Sequence, residues 1–278
     1  MLDKHTFPPD IDTALQTLRE NLEGYGSLVV AFSGGVDSAF LAFLAHQVLS
    51  NRMIALLGIS GSLAGDEERE AVKFLETHRI PFERIETEEM TIDGYQENGP
   101  DRCYYCKGEL FAKLGRFAEA HGFARVAHGA NLDDQSDHRP GSRAAQEMGV
   151  VAPLEAAGFT KAMIREAARI LNLSVWDKPA APCLASRIPY FSQVTEDKLG
   201  QIERAERVLR DRGYAVCRVR HHNDIARIEL PLADRRSLLE GDEWAELVAA
   251  IKQAGFKYVT LDLEDFQSGR LNEVLKEL

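Results

Sequence analysis

Residues 33–38 have the sequence Ser33-Gly34-Gly35-Val36-Asp37-Ser38, and this hexapeptide joins two apolar segments of different kinds. Residues 28–32, directly before it, are apolar and rich in β-forming side chains, which predicts a buried strand. Residues 36–50 are apolar on nearly every side and contain neither proline nor glycine, which predicts a buried helix. A strand that turns through two glycines into a helix directs backbone N–H groups toward the helix N-terminus. We therefore expect a nucleotide phosphate site at the hexapeptide.

The polar residues of the hexapeptide fit such a site. Gly34 and Gly35 permit a left-handed backbone and a close approach of the ligand. Ser33 and Ser38 offer hydroxyls to phosphate oxygens, and Asp37 is placed to hold Mg²⁺ or to cap the helix. The loop is not a Walker A motif, because no Gly-Lys-Ser/Thr follows. The alternative is an ordinary strand-to-helix turn in which serine and aspartate serve only as caps.

The length, composition and net charge of the chain exclude several classes of protein. A length of 278 residues, with 45% hydrophobic and 28% charged side chains, is typical of a globular protein that divides into two domains. A net charge of −11 argues against a nucleic-acid partner, which would require a basic surface. No apolar run approaches the ~20 residues that span a bilayer, so we expect no membrane contact. The first residues lack the pattern of a signal peptide, which predicts a cytoplasmic location.

Strands and helices alternate through the first part of the chain. This order predicts an α/β fold, with a parallel sheet and right-handed crossovers. Two prolines in residues 176–182 interrupt the pattern, so we predict a nucleotide-binding domain over residues 1–178 and a smaller α+β domain over residues 179–278. The strands predicted in the first domain are 28–32, 53–59, 81–87, 125–128 and 150–154.

In a sheet of this kind the carboxyl ends of the strands line the ligand crevice. Gly58 and Ser60 end the second predicted strand, and Gly129 and Asn131 follow the fourth, so all four are candidates for nucleotide binding. A plain loop is the alternative for the first pair. Asp133 and Asp134 offer oxygen ligands to Mg²⁺ but are also common turn residues, and for either acid alone we favour the turn.

Cys103 and Cys106 form a Cys-x-x-Cys pair at the start of a predicted helix that runs to about residue 121. Four cysteines in so long a chain are not a disulfide framework, which favours metal binding or redox chemistry for this pair. Two thiolates are half of a zinc site, which His121 or His128 is available to complete. Incidental placement near a helix start is the remaining explanation.

Two further cysteines stand alone in the sequence. Cys183 lies in a proline-bracketed loop with Arg187 nearby, and such positive charge favours a reactive thiolate. With Cys103 and Cys106 it completes a set of three thiolates, which fits a [4Fe–4S] cluster with one open iron. Cys217 alternates with Ala215 and Val219 on one predicted strand, which indicates core packing.

Basic residues cluster at two places in this acidic chain. Arg218 and Arg220 share one face of a predicted strand, next to His221 and His222, which favours anion binding over a solvated face. Arginines in the segment 139–143 are likewise suited to phosphate or carboxylate.

The hexapeptide SGGVDS resembles the signature of the PP-loop ATP pyrophosphatases, which adenylate a carbonyl or carboxyl group. Nearly the whole chain is similar to the LarE family, the pyridinium-3,5-biscarboxylic acid mononucleotide sulfurtransferases of nickel-pincer nucleotide biosynthesis. The motifs that carry this resemblance are SGGVDS (33–38), HGANLDD (128–134), HRPGSRAA (138–145), WDKPAAPCLASRIPY (176–190) and LDLEDFQSGRLN (261–272).

The resemblance implies a Rossmann-like sheet of the adenine nucleotide alpha-hydrolase type, an enzyme that uses ATP and Mg²⁺, a mononucleotide substrate and a homohexamer. It implies that Cys183 and Asp37 are catalytic and that Arg187, Arg218 and Arg220 grip the substrate phosphate. In single-cysteine members the residue matching Cys183 gives up its own sulfur. The three-cysteine pattern instead resembles members that hold a [4Fe–4S] cluster, and the sulfur donor is left open.

Two rival functions share parts of the pattern. A PP-loop tRNA thiolase would use the same ATP chemistry, but it should show basic patches and typically a lysine where this chain has Val36. An adenine-nucleotide sensor with a structural zinc would need no catalysis.

Overall fold

The computed structural model describes residues 5–136, 140–241 and 244–267, which form two compact units. The first unit comprises residues 1–60, 65–89 and 103–181, and the second comprises 61–64, 90–102 and 182–278. The last change between units falls after Ala181, close to the boundary predicted after Lys178. The second unit also takes two short segments that the sequence prediction assigned to the first domain. No helix in the described ranges is long and apolar enough to cross a membrane.

A four-stranded parallel sheet organises the first unit, in the order β3-β2-β1-β4. In its central strand, Leu28 is in register with Met53 on one side and with Arg125 on the other. Val29 and Val30 are fully buried, as expected for a sheet covered on both faces. The predicted α/β class with a parallel sheet is therefore confirmed. The strands are β1 (Leu28–Phe32), β2 (Met53–Ile59), β3 (Phe82–Glu86) and β4 (Arg125–Ala127).

The helices between these strands complete the core. The nearly all-apolar α2 packs on β1, and its Phe40 meets Phe159 edge-on at 5.4 Å between ring centroids. Thr160 caps α8 by accepting a hydrogen bond from the backbone of Met163, as its position before an amphipathic run predicts. Up to residue 170 the helices are α1 (Pro9–Tyr25), α2 (Val36–Leu49), α3 (Gly65–Thr77), α4 (Asp93–Gln96), α5 (Arg102–His121), α6 (Pro140–Glu147), α7 (Pro153–Ala156) and α8 (Lys161–Ile170). Of these, α4 belongs to the second unit.

The strand predicted over residues 150–154 is wrong. Only Val151 makes a bridge, to Ala127, and Pro153 begins the short helix α7. Proline lacks the N–H that a ladder needs and is favoured at the first position of a helix, so it ends the strand here. Between β3 and α5 the chain also forms a turn of 3₁₀-helix, Glu89–Thr91, and the short helix α4.

The second unit is a smaller α+β module. Its strands pair in the order β5-β6-β7, with β5 antiparallel and β7 parallel to β6. Helices α9 and α11 cover this sheet with apolar side chains such as Leu209 and Ile251. The elements are a 3₁₀-turn (Leu184–Arg187), α9 (Glu196–Arg210), β5 (Arg218–His222), β6 (Ile225–Glu229), α10 (Leu232–Glu240), α11 (Trp244–Gln253) and β7 (Tyr258–Leu261).

Candidate active site

The phosphate loop, residues 33–38, connects β1 to α2 and depends on its first glycine. Gly34 has φ = 73°, and a Cβ there would lie 2.9 Å from the Cβ of Ala71 on α3. A side chain would therefore be strained and would also collide with the helix. Gly35 is the N-cap of α2 and contributes no side chain to the helix end. The loop thus presents backbone rather than side chains at the positive end of the helix dipole.

The two serines of the loop hold its shape. The hydroxyls of Ser33 and Ser38 lie 3.0 Å apart, and Ser38 Oγ also accepts from the Ser33 N–H at 3.1 Å. Ser38 Oγ lies a further 3.1 Å from the carbonyl oxygen of Gly35. These bonds close the loop on itself. The predicted contact of both hydroxyls with phosphate stays a prediction.

Asp37, in the first turn of α2, has a partner that the sequence did not indicate. Lys161, the first residue of α8, donates a hydrogen bond from Nζ to the Asp37 carboxylate. The side-chain amide of Asn131 approaches the other carboxylate oxygen at 3.5 Å. The backbone N–H of Lys161 donates to Asp133 at 2.8 Å, which fixes the start of α8. A cation therefore stands beside the carboxylate that we expect to organise Mg²⁺.

The segment after β4 packs directly on the phosphate loop. A Cβ on Gly129 would lie 2.8 Å from the backbone nitrogen of Ser38, so only glycine fits. Asn131 is buried, and its Oδ1 accepts from the backbone N–H of Asp133. Asp134 in turn accepts from the backbone N–H of Asn131 at 3.1 Å. Asp134 thus has the turn role that its sequence context favours, whereas the carboxylate of Asp133 accepts from the start of α8.

Gly58 and Ser60 lie at the carboxyl end of β2, on the crevice side predicted for nucleotide contacts. A Cβ on Gly58 would lie 3.0 Å from Leu110 of α5, so close packing already explains this glycine. Nucleotide binding by the pair stays a prediction.

The segment 176–181, which follows α8 at the end of the first unit, is also fixed to the phosphate loop. Lys178 forms ion pairs with Glu67 at 2.8 Å and Glu70 at 2.9 Å, and its Nζ lies 3.4 Å from the carbonyl oxygen of Gly34. Burial opposes the charge of Lys178, but the two carboxylates outweigh it and raise the pKa of this lysine. Arg165 adds hydrogen bonds to the Trp176 and Lys178 carbonyls.

Cys103 and Cys106 lie in the first turn of α5, where residues three apart share a face of the helix. Cys103 is exposed and Cys106 is half-buried. Helix α6 braces this turn, because Arg143 stacks on Tyr104 at 4.2 Å and Glu147 accepts a hydrogen bond from the Tyr104 hydroxyl. Arg143 is thus engaged with an aromatic ring, and Arg139, the other arginine predicted to bind anions there, lies outside the described residues.

The structure does not favour a zinc site formed by the two cysteines of α5 and either of the histidines proposed as ligands. His121 is the last residue of α5, about 27 Å from Cys103 at the rise of an α-helix, so its pairing with the cysteines is wrong. His128 packs against Phe111, and burial, followed by the charge of Lys107, lowers its pKa to about 4. Within residues 5–136, 140–241 and 244–267, no three Cys, His, Asp or Glu side chains form a metal-binding group.

The remaining two cysteines belong to the second unit. Cys183 is exposed and is the N-cap residue of the 3₁₀-turn 184–187. Cys217 is buried, and burial, followed by the charge of Glu206, raises its pKa to about 12. The predicted packing role of Cys217 is confirmed, whereas Cys183 keeps the exposure that a sulfur donor needs.

Two of the three predicted phosphate-binding arginines are held by buried carboxylates. Arg187 donates to both oxygens of Glu206, at 2.8 and 3.0 Å. Arg220 does the same with Glu229, at 2.9 and 2.8 Å. Their contact with a substrate phosphate stays a prediction, and each guanidinium already has a carboxylate partner within the protein.

Arg218 differs from its two neighbours. It is 4% exposed and its guanidinium stacks on Phe266 at 4.7 Å, and no ion pair or hydrogen bond of that guanidinium is found among the described residues. Burial, followed by the charges of Arg187 and Arg220, lowers its pKa to about 10. The acids Glu229 and Glu206 act in the opposite direction but do not outweigh the burial. An anion bound directly to this buried guanidinium would stabilise its charge.

Comparison with known proteins gives matches over different parts of the chain. A family model described as NAD synthase matches residues 11–114. Pyridinium-3,5-bisthiocarboxylic acid mononucleotide synthase from Lactiplantibacillus plantarum is 36% identical over 264 residues, which cover 95% of this chain and 95% of that protein. An uncharacterized protein from Synechocystis sp. is 40% identical over 95% of this chain and 99% of its own length. A glutamine-hydrolyzing GMP synthase component from Archaeoglobus fulgidus is 23% identical over 72% of this chain and 69% of that protein.

Proposed function

This chain belongs to the LarE family of ATP-dependent sulfurtransferases, and we propose that it converts a carboxylate of pyridinium-3,5-biscarboxylic acid mononucleotide to a thiocarboxylate. The product serves the biosynthesis of the nickel-pincer nucleotide cofactor. The observation that carries the proposal is the presence, in one chain, of a phosphate loop at the start of α2 and an exposed Cys183 in the second unit.

The first step activates the carboxylate. A substrate carboxylate oxygen attacks the α-phosphorus of ATP, the bond from that phosphorus to the bridging oxygen breaks, and pyrophosphate leaves. This step is needed because a carboxylate is a poor electrophile, whereas AMP is a good leaving group. The backbone of residues 33–38 binds the departing phosphates, and Asp37 orients Mg²⁺ beside them. Lys161 lies against Asp37 and adds positive charge where negative charge develops.

In the second step a sulfur nucleophile attacks the acyl carbon, the bond to the AMP oxygen breaks, and AMP departs with its electron pair. We propose that Cys103, Cys106 and Cys183 supply thiolates for a [4Fe–4S] cluster. Cysteine thiolates are the usual ligands of such clusters, and Cys103 and Cys106 share one turn of α5, so the donor chemistry fits. When bound, the cluster would provide an open iron for an external sulfide. Direct loss of sulfur from Cys183 is the competing source.

The substrate phosphate has a matching cation in Arg218. This guanidinium is buried without an acidic partner in the described part of the chain, and burial disfavours its charge. A phosphate would supply a directly bonded counter-charge through short, charge-assisted hydrogen bonds, in addition to the electrostatic effect of Glu229 and Glu206. We therefore assign the first phosphate contact to Arg218, with Arg187 and Arg220 as its neighbours. The homo-oligomeric state and the sulfur donor stay predictions.

The test combines two assays on the purified protein with ATP and Mg²⁺. Pyrophosphate release is measured with and without pyridinium-3,5-biscarboxylic acid mononucleotide, and the product is identified by mass spectrometry. We expect release that depends on the mononucleotide and a product in which sulfur replaces one carboxylate oxygen. Release that depends on tRNA instead would identify a tRNA thiolase, and ATP binding without any release would identify a nucleotide sensor.

A further inference from the structure

The loop that carries Cys183, residues 182–189 (the cysteine loop), is held by side chains rather than by a backbone ladder. Prolines at both ends, Pro182 and Pro189, have no N–H to donate. The Leu184 N–H donates to the carbonyl oxygen of Ser62 at 2.8 Å, and within the loop the carbonyls of Cys183 and Ala185 accept from the N–H groups of Ser186 and Ile188. Side chains donate to these and to further carbonyls of the loop.

The side-chain donors are three arginines, one of which, Arg187, lies in the loop itself, and one asparagine. Arg187 Nη1 donates to the carbonyls of Pro182 and Cys183, at 2.5 and 3.3 Å. Arg102 donates to Ala185 and Arg220 to Ser186, each at 2.9 Å. The side-chain amide of the buried Asn98 lies within 3.2 Å of the loop carbonyls of Ile188 and Pro189, and of the Ser192 carbonyl just beyond the loop.

Two buried carboxylates orient two of these guanidiniums. Glu206 on α9 is fully buried, and both of its carboxylate oxygens accept hydrogen bonds from Arg187. It also accepts a hydrogen bond from the Val219 N–H at 3.1 Å. Glu229 on β6 is 2% exposed and holds Arg220 in the same two-pronged way. Each of the two guanidiniums therefore has one edge fixed on a carboxylate and another N–H directed at the loop.

A contribution to stability alone does not account for this arrangement. Buried ion pairs usually give no more stability than well-packed apolar side chains, because the loss of hydration offsets the attraction. They do impose a single geometry, since the two-pronged contact fixes the plane of the guanidinium. Here the fixed guanidiniums donate to backbone carbonyls on both sides of the exposed Cys183, so they also fix the backbone there.

We propose that the pairs Arg187–Glu206 and Arg220–Glu229 are a positioning device for Cys183, acting through hydrogen bonds to the carbonyls of the cysteine loop. They hold the loop in one conformation with the cysteine side chain at the surface, and so lower the entropic cost of bringing sulfur to the activated substrate. These residues act through the loop backbone and need no contact with the substrate. The inference rests on the proposed role of Cys183 in sulfur transfer, but its structural part can be measured without any substrate.

The experiment compares hydrogen exchange in the wild type, Glu206→Gln and a matched control, Glu203→Gln. Glu203 lies one turn earlier on α9 and pairs with the partly exposed Arg207, away from the loop. In Glu206→Gln we expect the Leu184 amide to exchange at least tenfold faster, whereas the amides of α11 in the same unit keep their rates. The control should match the wild type throughout.

Two outcomes would overturn the positioning device. One is an unchanged Leu184 exchange rate in folded Glu206→Gln. The other is equal acceleration of the α11 amides, which would assign the pair to general stability of the unit. If Glu206→Gln does not fold, Arg187→Lys keeps the charge but loses the planar fork, and the same local acceleration is expected. Weaker binding of inorganic phosphate to Arg187→Lys with unchanged exchange would instead make Arg187 a ligand contact.

Discussion

Lys161 donates a hydrogen bond to the carboxylate of Asp37, although 124 positions separate the two residues in the chain. The pair joins the start of α8 to the first turn of α2, so the acid expected to hold Mg²⁺ has a cation of the protein itself beside it. Charge-assisted contacts of this kind are about twice as strong as neutral hydrogen bonds.

Replacing Lys161 by Gln should reduce the use of ATP. The change removes a charge beside the phosphate loop, and a lost hydrogen bond to a charged group costs about 1.5–3 kcal/mol, or roughly 10- to 150-fold in kcat/KM for ATP. Steady-state pyrophosphate release measures the effect. Lys252→Gln, at an exposed position on α11, is the control and should match the wild type. An unchanged kcat/KM in Lys161→Gln would remove this lysine from the nucleotide site.

Replacing Asp37 by Ala should abolish adenylation without unfolding the protein. The loss of a charge near the start of α2 costs about 1 kcal/mol of helix stability, which a chain of this size tolerates. Circular dichroism checks the fold, and pyrophosphate release checks the activity. Asp12→Ala removes an equivalent charge from the first turn of α1 and should leave pyrophosphate release unchanged. Normal release by a folded Asp37→Ala variant would contradict the assignment.

Replacing Arg218 by Gln should weaken binding of the mononucleotide at least tenfold and leave ATP affinity nearly unchanged. The reason is that this buried guanidinium forms no direct ion pair within the described residues, so a substrate phosphate can bind it directly. Titration calorimetry with each ligand separates the two sites. Arg236→Gln, on the exposed face of α10, is the matched control. Reduced ATP affinity with intact mononucleotide affinity would move Arg218 to the nucleotide site. Replacing Arg218 and Arg220 together by Gln extends the same titration to the second arginine.

The source of sulfur can be read from the mass of the protein after turnover. If Cys183 is a permanent ligand of a cluster, reconstituted enzyme given sulfide should make more than one product per protomer, and its mass at Cys183 should stay constant. Cys103→Ala and Cys106→Ala should then lose sulfur transfer but keep adenylation. Cys217→Ala, in the core of the second unit, is the control. Loss of H₂S from Cys183, with full activity in the first two variants, would establish the sacrificial mechanism instead.

Burial of His128 should make the protein less stable in acid. Its pKa is lowered to about 4 by burial, with a smaller contribution from Lys107, whereas the unfolded chain takes up the proton near pH 6.5. The unfolded state therefore binds more protons between these values, and the free energy of unfolding falls as the pH drops from about 6.5 to about 4, by about 3 kcal/mol at most. Urea unfolding across this range should show a shallower pH dependence for His128→Asn. His121→Asn, at the exposed end of α5, should keep the wild-type slope, and equal slopes in all three proteins would contradict the prediction.

Local sequence determined the parts of the fold that depend on neighbouring residues. The phosphate loop follows from two glycines between an apolar strand and an apolar helix, and the start of α8 follows from Thr160 before an amphipathic run. These features were predictable because strand and helix periodicity and capping act over a few residues. The strand predicted over residues 150–154 was wrong for a local reason as well, since Pro153 cannot continue a ladder.

Only the tertiary structure decided which charged groups meet. Arg187, Arg218 and Arg220 are alike in the sequence, yet two of them face buried glutamates and the third stacks on Phe266. Lys161 gave no signal in the sequence because its significance lies in its contact with Asp37. The residue type indicates only how often such a charged side chain is buried in proteins in general. The partner of a particular buried charge depends on distances between elements that are far apart in the chain.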